Sequence, residues 1–279
     1  MDKEMIKYYI ISFYSFFLLS CGVDVKTPQV GLVEINGAIL ESEEIIKNIN
    51  YFHLRDDIDG ILVRVNSPGG GVAASQEIYE KIKDIRDNSD KPIVVSMSSI
   101  ATSGGYYVSI GADSILANPG TITGSIGVIM GYPTVTDLME ILGLNYTIIK
   151  SGQYKDSGSP FRKTSPSDSS YLTMIVDELH DQFKTDVQME RHLSIGEINR
   201  IAQGQIFSGR QALELDLIDK IGTFEDAIWL IGNMTGFNTR PNLIKIPKKR
   251  IGLVDAIIGE VKLKLGVMDK YIIPEYRYK

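Results

Sequence analysis

Three small-residue turns and one loop lysine hold the groups that could do chemistry. The turn Asn66-Ser67-Pro68-Gly69-Gly70-Gly71 follows an apolar run. Consecutive glycines cost backbone entropy, so they make sense where the backbone approaches a ligand or takes unusual dihedrals. Their N–H groups could face a developing oxyanion. A phosphate loop is disfavoured, because the Gly-x4-Gly-Lys-Ser/Thr pattern is absent. In the second turn, Ile100 to Tyr107 (IATSGGYY), small residues crowd around Ser103 just before a helical stretch. A serine there sits at the positive end of a helix dipole, with the Gly104 N–H free of intrahelical bonds. That placement suits a nucleophile beside an oxyanion donor, and it equally suits a plain N-cap. Thr121 to Gly127 (TITGSIG) is the third turn. A hydroxyl at Ser125 could orient a base, although taken alone it is ordinary turn chemistry.

A serine nucleophile needs a base. The chain has three histidines, His53, His180 and His192, and none follows a strand end. A Ser-His-Asp arrangement is therefore poorly supported. Lysine is the alternative. Its ordinary pKa of about 10.4 means that a half-neutral state at pH 7 requires a shift worth about 4–5 kcal/mol. Burial can supply that. Lys155, in the small polar loop Lys150 to Pro160, is the best candidate. The neighbouring Asp156 would oppose deprotonation if it were close, so it should point elsewhere. Without a partner, Lys155 is equally a solvated loop charge.

The elements that must hold these groups alternate. Apolar runs predict strands at Val30–Asn36, Asp59–Asn66, Ile93–Met97, Ser114–Ala117 and Asn145–Ile149. Helical spacing predicts helices at Ser42–Leu54, Ala73–Asn88, Ser103–Ile110, Thr136–Leu142 and Asp168 to about His192, with shorter ones near 194–202, 208–215 and 223–235. Ile78, Ile82 and Ile85 form the stripe of the second helix. This β-α alternation predicts an α/β layer fold, and α/β sheets place sites where strand ends run into Gly-rich turns.

Four stretches taken together resemble the signal peptide peptidase A family of serine peptidases: VNSPGGG (65–71), ATSGGYYVS (101–109), TITGSIGV (121–128) and SGQYKDSGSPFR (151–162). The block QGQIFSGRQALELDLIDKIG (203–222) is also similar to that family. The resemblance runs from about Val30 to Gly222, and the order and spacing of the stretches agree as well as their residue types. It implies the ClpP/crotonase-like α/β fold of repeated β-β-α turns. It also implies a Ser-Lys dyad, with Ser103 as nucleophile, Lys155 as general base and Ser125 orienting the lysine. The oxyanion hole would be formed by Gly70 and Gly104, with Gly69 as the alternative to Gly70. No metal or other cofactor is implied. The substrates implied are signal peptides and other unfolded peptides. The family's short members form homo-oligomers in which neighbouring subunits share the dyad. Thr102 departs from the family's more usual alanine before the nucleophile. A crotonase-type acyl-CoA enzyme and a non-catalytic membrane scaffold are the alternatives on the same fold. The former has no need of Ser103, and the scaffold is disfavoured by the presence of all four motifs.

Tyr8–Leu19 is an uncharged, mostly apolar run after Lys3 and Lys7. It is short for a membrane span and matches the apolar region of a signal peptide. The single cysteine, Cys21, directly follows Leu18-Leu19-Ser20, which resembles a lipoprotein signal. Lipidation at Cys21 and an uncleaved anchor both imply a bacterial membrane tether with the rest of the chain on the extracytoplasmic side. The expected organisation is therefore 1–27 as the export or anchor segment, 28–239 as the peptidase domain and 240–279 as a basic extension. The 279 residues carry 29 Lys/Arg against 35 Asp/Glu, a net −6, so no nucleic-acid partner is suggested. Residues 240–279 alone hold ten Lys/Arg and four Asp/Glu, a local +6. Ile251–Leu265, apolar with interspersed charge, is expected to be helical and to pack within the chain, on a membrane or between subunits. One cysteine precludes a disulfide framework, and 43% hydrophobic with 23% charged residues excludes a disordered chain.

Overall fold

The computed structural model describes residues 27–246 and the backbone of residues 275–277. The expectations for the N-terminal segment, for Cys21 and for a helix at Ile251–Leu265 lie outside the described residues.

A mostly parallel sheet forms the centre. Its path runs β7 (Ile206–Ser208), β6 (Ile122–Gly124), β4 (Ile93–Thr102), β2 (Gly60–Ser67), β1 (Gln29–Asn36) and β9 (Asn242–Lys245). All these pairs are parallel except β6 with β7. The central strand β4 divides its outer edge between two partners. Val94–Met97 pair with β5 (Ser114–Ala117), which pairs in turn with β8 (Lys220–Ile221), and Ile100–Thr102 pair with β6. The sheet thus forks after Met97, and only β6 accompanies β4 to its end. A bulge between Val65 and Ser67 keeps β2 in step with this bend.

Strands buried on both faces read as continuous apolar runs. In β1, β2 and β4, Val33, Ile35, Ile61, Val63, Val65, Ile93, Val95 and Met97 point to one face. There they meet α1 (Glu43–His53), α2 (Val72–Asn88) and α3 (Gly104–Ser109) through residues such as Ile49, Phe52, Ile78, Ile82 and Tyr106. Val30, Leu32, Leu62, Val94 and Leu116 point to the other face, against Ala227, Ile228 and Ile231 of α8 (Phe224–Met234). The sheet continues through β9, beyond the boundary expected at residue 239.

After β6 the chain makes a long excursion that holds α4 (Thr136–Ile141) and the Lys155 loop. It returns as α5 (Pro166–Arg191), which starts with a Ser165/Asp168 capping box and packs on the core through Phe183 and Val187. The remaining helices are α6 (Ile195–Ile201) and α7 (Gly209–Glu214). The strand expected at Asn145–Ile149 does not form, and this corrects the reading of that stretch. Its apolar residues are exposed, Ile149 at 96%, and no strand of the sheet pairs with it. An apolar run becomes a strand only where a neighbour satisfies its backbone. β3 (Gly69–Gly71), β6, β7 and β9 are too short for periodicity to reveal.

Core burial gives a direct check. Ile82 is fully buried in the α2 stripe, so Ile82→Ala is expected to cost about 2–5 kcal/mol in urea-induced unfolding followed by circular dichroism.

Candidate active site

Strands β2, β4 and β6 run in the same direction and end side by side. Register places Ser67 opposite Ala101 and Thr102 opposite Gly124. The Gly69–Gly71 turn, Ser103 and Ser125 therefore emerge at one edge, where open α/β sheets hold ligands. The Ser103 N–H donates to the Gly124 carbonyl at 2.7 Å, so the turns carrying the two serines are bonded to each other. The Ser125 N–H donates to the Gln205 carbonyl at 2.7 Å, which ties that turn to the segment before β7.

Ser103 has φ 54° and ψ −117°, a backbone conformation that non-glycine residues rarely adopt. Such a residue costs about 1–3 kcal/mol and persists only where the surroundings over-determine it. A sharp strand-to-helix turn of this kind presents a nucleophile's oxygen. The Ser103 Oγ is buried and has no hydrogen-bond partner among the described residues. It does not cap α3, so the plain N-cap reading fails. The Thr102 hydroxyl beside it is also buried and unpartnered among the described residues. Gly104 opens α3, and an N–H at this position has no intrahelical acceptor.

The neighbouring turn is held tightly. Ile39 donates its N–H to the Gly69 carbonyl at 2.9 Å and accepts from the Gly71 N–H at 2.8 Å. Because successive peptide groups in a strand face opposite edges, the Gly70 N–H faces away from Ile39. A Cβ on Gly70 would collide with the Ile39 carbonyl. The Gly69 N–H is engaged by Ser67 Oγ at 3.1 Å, and the Gly70 N–H faces the outer edge of β3, where Tyr276 lies opposite it. A Cβ on Gly105 would lie 2.7 Å from the Ser67 carbonyl oxygen, so α3 and the β2 turn meet backbone to backbone. Sequence reasoning missed the bracing role of Ile39, and no motif marks it.

The outer edge of β3 is covered. β10 (Glu275–Arg277) pairs antiparallel with it, with Tyr276 opposite Gly70. The chain's own C-terminal backbone thus lies as an added strand on the Gly-rich turn beside Ser103.

Lys155 is exposed and has no hydrogen bond or ion pair through its side chain among the described residues. Since the Ser103 Oγ is unpartnered, Lys155 does not reach it within one chain, and neither does any histidine. The structure brings Ser103, Ser125, Gly70 and Gly104 to one edge and leaves Lys155 on the excursion. The excursion also exposes Leu138, Ile141, Leu142, Leu144, Tyr146 and Ile149, an apolar surface of the kind that marks interaction sites.

The model of peptidase family S49 matches residues 85–233, and that of Clp protease matches residues 33–115. The chain belongs to peptidase family S49. It is 38% identical over 212 residues to a protein of Synechocystis sp. named as a protease, covering 75% of this chain and 76% of that one. Over 216 residues it is 35% identical to a protein of Enterococcus faecium named as a signal peptide peptidase, covering 73% of this chain and 62% of that one. It is 30% identical over 209 residues to Protease 4 of Haemophilus influenzae, covering 72% of this chain and 34% of that one. The fold is the ClpP-like α/β arrangement that the sequence implied, and the family is one of peptidases. No helix among the described residues is long and apolar enough to cross a membrane.

The close approach at Gly70 yields a test. Gly70→Ala is expected to displace the turn from Ile39 and to lower kcat/KM for a peptide substrate by about 10²-fold, the scale of losing one oxyanion donor. Unchanged kcat/KM would show that this turn takes no part in the reaction.

Proposed function

We propose that this chain is a serine endopeptidase of the signal peptide peptidase type, in which Ser103 is activated by Lys155 of a neighbouring copy. The observation that carries this reading is the Ser103 hydroxyl: buried, unpartnered, on a strained turn between the Gly70 turn and Ser125. A hydroxyl desolvated without a partner is costly and is suited to a base that arrives from outside the chain. The exposed apolar excursion that bears Lys155 supports a homo-oligomer as the source of that base.

In the reaction, neutral Lys155 Nζ takes the Ser103 proton as Oγ bonds to the scissile carbonyl carbon. The N–H groups of Gly70 and Gly104 stabilise the oxyanion. The ammonium then protonates the leaving amine as the C–N bond breaks. Lys155 next deprotonates a water that attacks the acyl-enzyme, which releases the new carboxylate and restores the Ser103 hydroxyl. Ser125 holds the lysine in line, and no cofactor is needed. The peptide binds as an added strand, the mode illustrated by β10 on β3. The substrates are remnant signal peptides and other unfolded chains reached at a bacterial membrane. The tether is the N-terminal segment, either lipidated at Cys21 or retained as an uncleaved anchor, with the catalytic domain on the extracytoplasmic side. An acyl-CoA enzyme or a non-catalytic scaffold would leave Ser103 without a role.

A fluorophosphonate probe is expected to label the wild type and not Ser103→Ala, and Lys155→Ala should lose about 10²–10⁴-fold in turnover, the usual contribution of a general base. Mixed oligomers of Ser103→Ala and Lys155→Ala should regain part of the activity. Persistent labelling of Ser103→Ala overturns the nucleophile, and no recovery in verified mixed oligomers overturns the shared dyad.

Deleting residues 271–279 is expected to lower KM for an extended peptide with little change in kcat, because the added strand competes for the same edge. An unchanged KM would remove the tail from that edge.

A further inference from the structure

Lys155 is followed directly by an aspartate, and a carboxylate beside a lysine holds it charged. The structure removes that carboxylate from the lysine. The Asp156 side chain is buried, and Arg162 takes it in two hydrogen bonds, Nε to Oδ2 at 2.8 Å and Nη2 to Oδ1 at 2.9 Å. Lys150 Nζ adds a third at 2.6 Å. Arg162 also reaches Asp168, through Nη1 to Oδ2 at 2.5 Å and Nη2 to Oδ1 at 2.9 Å. Asp168 accepts from Ser157 Oγ and Ser165 Oγ at 2.6 Å each, and from the Ser165 N–H at 3.0 Å. It is the capping-box residue of α5, which packs into the core at Phe183 and Val187. The guanidinium is therefore a bridge between the lysine loop and a core-anchored helix. Tyr154 stacks on Tyr171 of α5 with ring centroids 4.7 Å apart, a second tie in the same direction.

We infer that Arg162 is a positioning residue for Lys155: its two-carboxylate clamp fixes the lysine loop on α5 and turns Asp156 away from the lysine ammonium. The inference rests on the reading of Lys155 as the base. Where the loop meets α5, the charged and titratable groups are Lys150, Tyr154, Asp156, Arg162, Asp168 and Tyr171; the remaining charges of α5, from Asp177 to Arg191, lie further along the helix. Asp156 and Asp168 are both held well below the ordinary carboxylate range, chiefly by Arg162. Lys150 bonds the same oxygen of Asp156 as Arg162 Nη2, but it does not reach Asp168. It cannot replace the link to α5. A lysine at position 162 could not replace it either, because a point charge lacks the planar fork that engages two carboxylates.

The test is the pH profile of kcat/KM for a chromogenic peptide in the intact, assembled protein. In Arg162→Ala, kcat/KM at neutral pH is expected to fall by about 10²-fold, the loss that a 1 Å misplacement can bring. The rising limb of the profile should move to higher pH by about one unit, the lower end of what a newly close carboxylate brings. In the double variant Asp156→Asn/Arg162→Ala the limb should return toward the wild-type position while the rate stays low. Arg162→Lys should lower kcat with the limb unmoved. Where Arg162→Ala does not assemble, Arg162→Gln is measured under the same criteria. A lower rate in Arg162→Ala with no movement of the limb, or a limb that the added Asp156→Asn does not bring back, overturns the proposal and leaves only a structural clamp. If instead Lys155→Ala retains near-normal turnover, the reading of the base itself has failed, whatever the Arg162 variants do.

Discussion

The site depends on three parallel strands ending together. β2, β4 and β6 are locked by register, and the Ser103 N–H to Gly124 carbonyl bond closes the gap between the last two. That bond helps to hold Ser103 in a strained conformation, because the strand behind it and the helix in front of it are both buried. Without β6, the end of β4 would have no neighbour on that side. The fork of the sheet after Met97 thus divides the support of β4: β5 pairs with Val94–Met97 and β6 pairs with the half that leads into Ser103.

Close backbone approach does the rest of the positioning. Gly105 lets α3 meet the Ser67 carbonyl, and Gly70 lets the β3 turn meet Ile39. The N–H groups of Gly70 and Gly104, the proposed oxyanion donors, are then fixed by packing rather than by flexible side chains. Preorganised backbone dipoles of this kind need no rearrangement as charge develops. The helix α3 is short, but every residue in it is buried, and the Tyr106 hydroxyl donates to the Leu217 carbonyl at 3.0 Å. That anchors the helix at its far side, so that the Gly104 end cannot drift.

The sequence was legible where burial on both faces or a helical stripe left a long pattern. β1, β2 and β4 and the Ile78–Ile82–Ile85 face of α2 follow from such patterns. So do the three turns, because glycine and serine cluster where strand ends need them. The short strands β3, β6, β7 and β9 were not legible, since three or four residues hold no period and their pairing is decided by distant partners. Asn145–Ile149 misled for the converse reason, being apolar without a neighbour in the same chain. The role of Ile39 was hidden, because it acts through backbone groups that any residue possesses. The separation of Asp156 from Lys155 was anticipated on charge grounds alone. Its agents, Arg162 and Asp168, could not be picked out, because their pairing depends on how the loop folds back on α5.

If Lys155 is the base for Ser103, as proposed, the arrangement of charge around it also bears on why the two are kept apart. A lysine buried beside Ser103 in a single chain would need its desolvation cost met during folding. On an exposed excursion it folds in contact with solvent, and in the proposed oligomer the apolar residues around it would provide the driving force for docking. Desolvation would then arise only in the proposed assembly, where the lysine could act as a base. For that to work, no carboxylate of its own loop can travel with it as a counter-ion. The Arg162 clamp on Asp156 meets this condition before assembly, because all of its partners lie within one chain. Activity would then be tied to the contact between copies, and an isolated chain would carry a strained serine without the base that makes it reactive.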